Sequence, residues 1–140
     1  MDTKIIDIAL GQFGIKEIPG IKDNPEVLKY FDEIGFDGSK LKDETAWCSA
    51  FVNWVAQEAD KDASCKLNAR SWLTVGQKVL QPEKGDVVVF WRGSPNSWKG
   101  HVAFFIRETT NWIYVLGGNQ NNQVSIRPYP RNRLLEYRRL

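Results

Sequence analysis

Pro82-Glu83-Lys84-Gly85-Asp86-Val87-Val88-Val89-Phe90-Trp91 is the stretch on which the chain changes its period. Lys84-Gly85-Asp86 reads as a turn, and the five residues after it are β-branched or aromatic, the composition of a strand. The same texture continues downstream. His101-Val102-Ala103-Phe104-Phe105-Ile106 is apolar on both faces, which predicts a central strand. Residues 112–116, 124–127 and 134–138 read as three more, roughly five in all. Upstream the period is helical. Ile5, Ile6, Ala9, Leu10 and Phe13 recur at helical spacing behind Asp2 or Thr3 as cap, and Gly14 ends the run. Pro19–Asp23 reads as a loop. Asn24-Pro25 then reads as an N-cap and a first-turn proline, followed by the stripe Val27, Leu28, Phe31 and Ile34, with Gly35 as the stop. Thr45 is the expected cap of a third helix reaching Asp60, with Cys48, Phe51, Val52, Val55 and Ala59 on one face. A short helix is expected over 69–75. Helices followed by a meander of strands predict an α+β domain, with the N-terminal helices packed on one side of an antiparallel sheet. The 140 residues suffice for one such domain, 1–140.

Composition narrows the function classes. With 42% hydrophobic and 26% charged residues, the chain reads as globular and not as disordered. No run approaches the roughly 20 apolar residues of a spanning helix, so no membrane insertion is expected. Met1-Asp2-Thr3-Lys4 has none of the features of a secretory signal. The expectation is synthesis in the cytoplasm and, for action outside, another export route such as holin-type release or a secretion system. The net charge of +2 implies no partner, but its distribution is uneven. Residues 1–62 hold seven Lys/Arg and thirteen Asp/Glu, whereas 63–140 hold twelve and four. Arg127, Arg131, Arg133, Arg138 and Arg139 read either as a basic face toward a polyanion or as a solvated edge strand. Their spacing matches no nucleic-acid motif. Two cysteines and one histidine cannot fill a structural zinc site without carboxylates, and no metal is expected. A Cys48–Cys65 disulfide is conceivable only by count.

Three places could carry chemistry. Cys48 lies near a helix start, where unpaired amides and the positive dipole end favour a thiolate; the same position also suits a small core residue. His101 opens a strand and could reach a helix N-terminus as a base, or be a satisfied strand-end residue. Gly117-Gly118-Asn119-Gln120-Asn121-Asn122 follows the next strand. There a polar side chain could hold the far nitrogen of His101, or the segment could be a turn. Ile113, Val115, Gly117 and Asn119 share a face by strand phase, so Asn119 is the best placed, ahead of Gln120.

In this order the three elements resemble papain-like cysteine hydrolases, above all the NlpC-type and CHAP-type peptidoglycan amidases and endopeptidases. Residues 43–55, around Trp47-Cys48-Ser49, look like the nucleophile helix of that group. Residues 82–90 look like the strand before the His, Gly100-His101-Val102-Ala103-Phe104-Phe105 like the His strand, and Leu116-Gly117-Gly118-Asn119-Gln120 like the third-residue segment. Many relatives carry Asp before the Cys, where this chain has Trp47; the acidic pair Asp43-Glu44 lies further upstream. The resemblance implies a papain-like fold with Cys48 as nucleophile, His101 as base and acid, Asn119 as orienting residue and the Cys48 N–H in the oxyanion hole. It implies bacterial peptidoglycan as substrate, without metal or organic cofactor. Trp47 and Trp98 could line a substrate groove beside Gln120, although core packing also accounts for tryptophans. The setting expected is a single-domain phage endolysin. An exported antibacterial effector with an immunity partner, a non-catalytic wall-binding domain and an acyltransferase with the same triad are the alternatives.

Overall fold

A computed structural model describes residues 3–16, 25–36 and 47–140. The expected caps Asp2, Asn24 and Thr45, the 19–23 loop and Asp43-Glu44 lie outside the described residues. Helices α1 (Lys4–Leu10), α2 (Pro25–Asp32) and α3 (Cys48–Glu58) precede a 3-10 helix, Ala69–Thr74. Strands β1 (Gln77–Val79), β2 (Val87–Trp91), β3 (Gly100–Glu108), β4 (Trp112–Gln120), β5 (Gln123–Pro130) and β6 (Leu134–Arg139) follow. They form one antiparallel sheet in the order β1-β6-β2-β3-β4-β5. The fold is α+β and papain-like, with six strands among the described residues where five were expected. The extra strand is Gln77–Val79, whose three residues are too few to show an alternation. The His-bearing β3 is interior, as its two apolar faces predict.

The first helix is shorter than its stripe suggested. It ends at Leu10, and residues 11–14 turn away, with Gly14 at φ 92. In α3, every residue from Cys48 to Ala56 is buried, so the helix is a core element and not a surface one. One core joins Phe51, Val52 and Val55 of α3 and Tyr30 and Phe31 of α2 to the sheet face bearing Val87, Val89, Val102, Phe104 and Leu116. The opposite face carries a second cluster, including Val88, Phe90, Ala103, Phe105, Ile113 and Val115.

That second face is concave. Three strand spacings separate β2 from β5, roughly 14 Å in a flat sheet. Yet the rings of Phe90 on β2 and Tyr129 on β5 are 4.9 Å apart between centroids. The sheet therefore curls until its edge strand folds back over β2, in the sense that strand twist favours. His101, the register partner of Phe90, lies on this concave face, and α3 abuts the other.

Candidate active site

Cys48 is the first residue of α3, with Trp47 at the N-cap position. Its amide is thus one of the donors that an α-helix leaves unpaired at its start. The sulfur is nearly closed off, the residue being 4% exposed. Burial pushes the thiol above its ordinary range; the amide of Val102, the charge of Arg92 and the amides of Ser49 and Cys48 pull the other way. The helix start therefore acts as expected, but desolvation outweighs it, and the resting thiol is neutral. Both cysteines are free, with Cys65 exposed.

The Val102 amide facing the sulfur belongs to the residue after His101, which brings the thiol to the strand position that carries the imidazole. Tyr129 makes the same connection. Its ring stacks on His101 at 4.8 Å, and it lies within electrostatic reach of Cys48. His101 is 1% exposed, and burial pushes its imidazole down to about 4, aided by Arg92 and opposed by the Gln120 hydrogen bond.

The tautomer follows from Gln120. Its Nε2 donates to the carbonyls of Val115 at 3.2 Å and Ser125 at 2.6 Å. That orients the amide, so Oε1 faces His101 and accepts from its Nε2 at 2.8 Å. The ring proton sits on Nε2, and Nδ1 keeps a free lone pair. Nδ1 is buried and has no hydrogen-bond partner among the described residues. A neutral imidazole with a bare, desolvated Nδ1 can accept a proton, and no hydrogen bond joins it to the Cys48 thiol.

Gln120, and not Asn119, thus bonds the imidazole. Strand phase favoured Asn119 because it assumes a regular ladder. Gly117 pairs with Ser125 but Gln120 pairs with Gln123, so β4 carries one extra residue there. Asn119 takes up the bulge at φ 58, and the side-chain phase moves on by one.

The CHAP domain family model matches residues 40–119, which include Cys48, His101 and Asn119. The chain belongs to the CHAP domain family. That family consists of peptidoglycan hydrolases, generally cysteine peptidases or amidases. No curated protein matches the chain. Among solved structures, a protein described as similar to lipoprotein, NLP/P60 family, from Staphylococcus aureus subsp. aureus Mu50 superimposes with a TM-score of 0.54 at 18% identity. The match covers 97% of this chain and 40% of that one, and the likeness is one of fold.

In this CHAP domain, two of the expected groove residues lie elsewhere. Trp47 is fully buried and stacks on Tyr30 at 5.9 Å, so it is a core residue and lines no groove. Gln120 is 1% exposed and bonded on three sides, to the His101 imidazole and the Val115 and Ser125 carbonyls. Trp98 is 74% exposed, in the loop that leads to the His strand. Among the described residues, no group of three His, Cys, Asp or Glu side chains is placed to hold a metal.

Several supporting residues carry no sequence motif. Arg70 reaches across to that loop, its guanidinium donating to the carbonyls of Lys99, Pro95 and Ser94 at 2.7, 2.7 and 2.9 Å. Below Cys48, Ser49 donates to the Lys66 carbonyl at 2.6 Å and accepts from Trp72 Nε1 at 3.0 Å. The Asn53 amide accepts from the Cys65 amide at 2.8 Å and donates to the Lys66 carbonyl at 3.0 Å. These bonds tie the segment after α3 to its first two turns. Gly117 and Gly118 offered the one legible signal, paired glycines inside a strand. A Cβ on Gly118 would lie 2.7 Å from the Trp47 ring and from Phe51 Cβ, and one on Gly117 would lie 2.9 Å from Gln120 Oε1.

Proposed function

We propose that the chain is a cysteine amidase or endopeptidase that cleaves amide bonds in peptidoglycan peptides. The observation that carries this reading is the imidazole with its Nε2 held by Gln120 and its Nδ1 bare, on the strand against which the Cys48 sulfur packs. In this reading Cys48 Sγ attacks the carbonyl carbon as its proton passes to His101 Nδ1. The oxyanion of the tetrahedral intermediate draws on the Cys48 amide at the start of α3. The C–N bond then breaks, and the leaving amine takes the proton from Nδ1, leaving a thioester. A water gives its proton to Nδ1 and attacks the thioester, the C–S bond breaks to release the carboxylic acid, and Nδ1 returns the proton to the sulfur. Gln120 holds the ring in the tautomer that both half-reactions need.

Purified peptidoglycan digested with wild type and with Cys48→Ala tests the reading, with new amines and fragments read by mass spectrometry. Wild type releases amines and the variant releases none. Equal release by both ends the nucleophile assignment. No release by either supports the second reading, a wall-binding domain without catalysis, which the 4% exposure of Cys48 favours. We propose a phage lysin as the setting, acting at the cell wall after holin-type release. An exported effector would differ in needing an immunity protein, so toxicity relieved by co-expressing a neighbouring gene product separates the two.

A further inference from the structure

The concave face that holds His101 ends in a rim of arginines. Phe90 is the register partner of His101, and Arg92, two residues on, shares its face. The ladder still holds there, the Arg92 amide donating to the Lys99 carbonyl at 3.2 Å. On β5, Arg127 lies two residues from Tyr129, on the same face, and Tyr129 stacks on the imidazole at 4.8 Å. Arg133, in the turn before β6, holds its guanidinium 5.3 Å from the Trp91 ring. All three are exposed, and each lowers the proton affinity of the Tyr129 phenol, so their fields meet beside the imidazole.

Apart from Arg107, which stacks on the Tyr114 ring at 3.7 Å, the arginines from Arg92 onward fall into two sets. Arg131, Arg138 and Arg139 are paired with Glu108, Glu136 and Asp86 at 3.1, 2.9 and 2.7 Å. Arg92, Arg127 and Arg133 make no ion pair among the described residues. Arg131 and Arg139 tie separate elements together, whereas Arg138 and Glu136 lie on the same strand. The unpaired set leaves planar, multiply donating cations around the one buried imidazole, an arrangement complementary to carboxylates.

We propose that Arg92, Arg127 and Arg133 form a carboxylate-selecting rim, which makes peptidoglycan stem peptides bearing free acids the preferred substrates over the same peptides with amidated acids. The inference rests on the hydrolase reading above. A guanidinium meets a carboxylate with two N–H donors and opposite charge. A carboxamide offers one neutral acceptor, and its own N–H groups face the same donors.

The test uses two soluble muropeptides, identical except that the stem acids are free in one and amidated in the other. Both lack the phosphates of wall polymers, so a phosphate-directed rim gives no preference between them. Wild type should show a kcat/KM ratio of about tenfold for acid over amide, as two or three exposed ion pairs supply. The ratio should shrink with added salt. In the Arg92→Gln, Arg127→Gln double variant it should fall toward one. A ratio of one in wild type, or an undiminished ratio in the double variant, overturns the rim. Failure of wild type to cleave either peptide strikes the hydrolase reading itself, and the rim with it.

Discussion

The Nε2–H of His101 donates to Oε1 of Gln120 at 2.8 Å, and the two N–H bonds of that amide are taken by the Val115 and Ser125 carbonyls. The orientation of one uncharged side chain thereby decides which imidazole nitrogen is bare. Gln120→Ala should lower kcat by roughly tenfold to a hundredfold. His101→Ala should do more, since it removes a proton carrier worth about 10²–10⁴-fold. Gln120→Glu places a carboxylate beside the ring and favours imidazolium, so the acid limb of the pH–rate profile should move to higher pH. Steady-state kinetics across pH on a soluble muropeptide check all three. A Gln120→Glu profile superimposable on wild type contradicts the pairing.

Burial holds the His101 imidazole neutral down to about 4. The acid limb of kcat/KM that belongs to this base should therefore lie near pH 4, with no inflection near 6.5. The same group makes stability depend on pH. The unfolded chain takes up the proton near pH 6.5 and the folded protein only near 4. The unfolded state thus binds more protons between these values, and stability falls as pH drops through that window, by about 3 kcal/mol in all. Urea titrations at pH 7 and pH 4 should show a smaller loss for His101→Gln than for wild type. Equal losses would mean that the imidazole is solvated.

Gly118 lets α3 and β4 approach. A Cβ there meets the Trp47 ring and Phe51 Cβ at 2.7 Å, against side chains that are themselves fully buried. Gly118→Ala should destabilise the fold by about 1–3 kcal/mol, the range for overpacking a filled core. Thermal unfolding followed by circular dichroism reads it, and an unchanged Tm refutes the contact. The same substitution should also lower activity in the surviving folded fraction, because Cys48 follows Trp47 directly.

Arg70 binds three carbonyls of the loop that carries Trp98 and leads to His101. Arg70→Lys keeps the charge but lacks the fork, so it should behave like Arg70→Met and not like wild type. Amide hydrogen exchange over 93–99 should rise several-fold in both variants. If the Lys variant protects the loop as well as Arg does, charge alone holds it.

Much of this protein was legible in its local chemistry. A single imidazole, a cysteine after a tryptophan near a helix start and a Gly-Gly-Asn-Gln run narrow the reactive groups to a few, and the switch from helical to strand period separates the two halves. The unbroken apolar run of His101–Ile106, with no polar face, also placed β3 in the sheet interior. Each of these features is contained within a few residues, where covalent geometry and periodicity govern. What could not be read this way depends on distant contacts. Asn119 yields to Gln120 because a single extra residue in β4 shifts the phase of all that follow, and a ladder's regularity belongs to two strands at once. Trp47 enters the core because Gly118, seventy-one positions away, leaves room for its ring. The neutral states of Cys48 and His101 have the same origin. Each is set by how much water the curled sheet and α3 together exclude, and that exclusion exists only after segments far apart in the chain have packed.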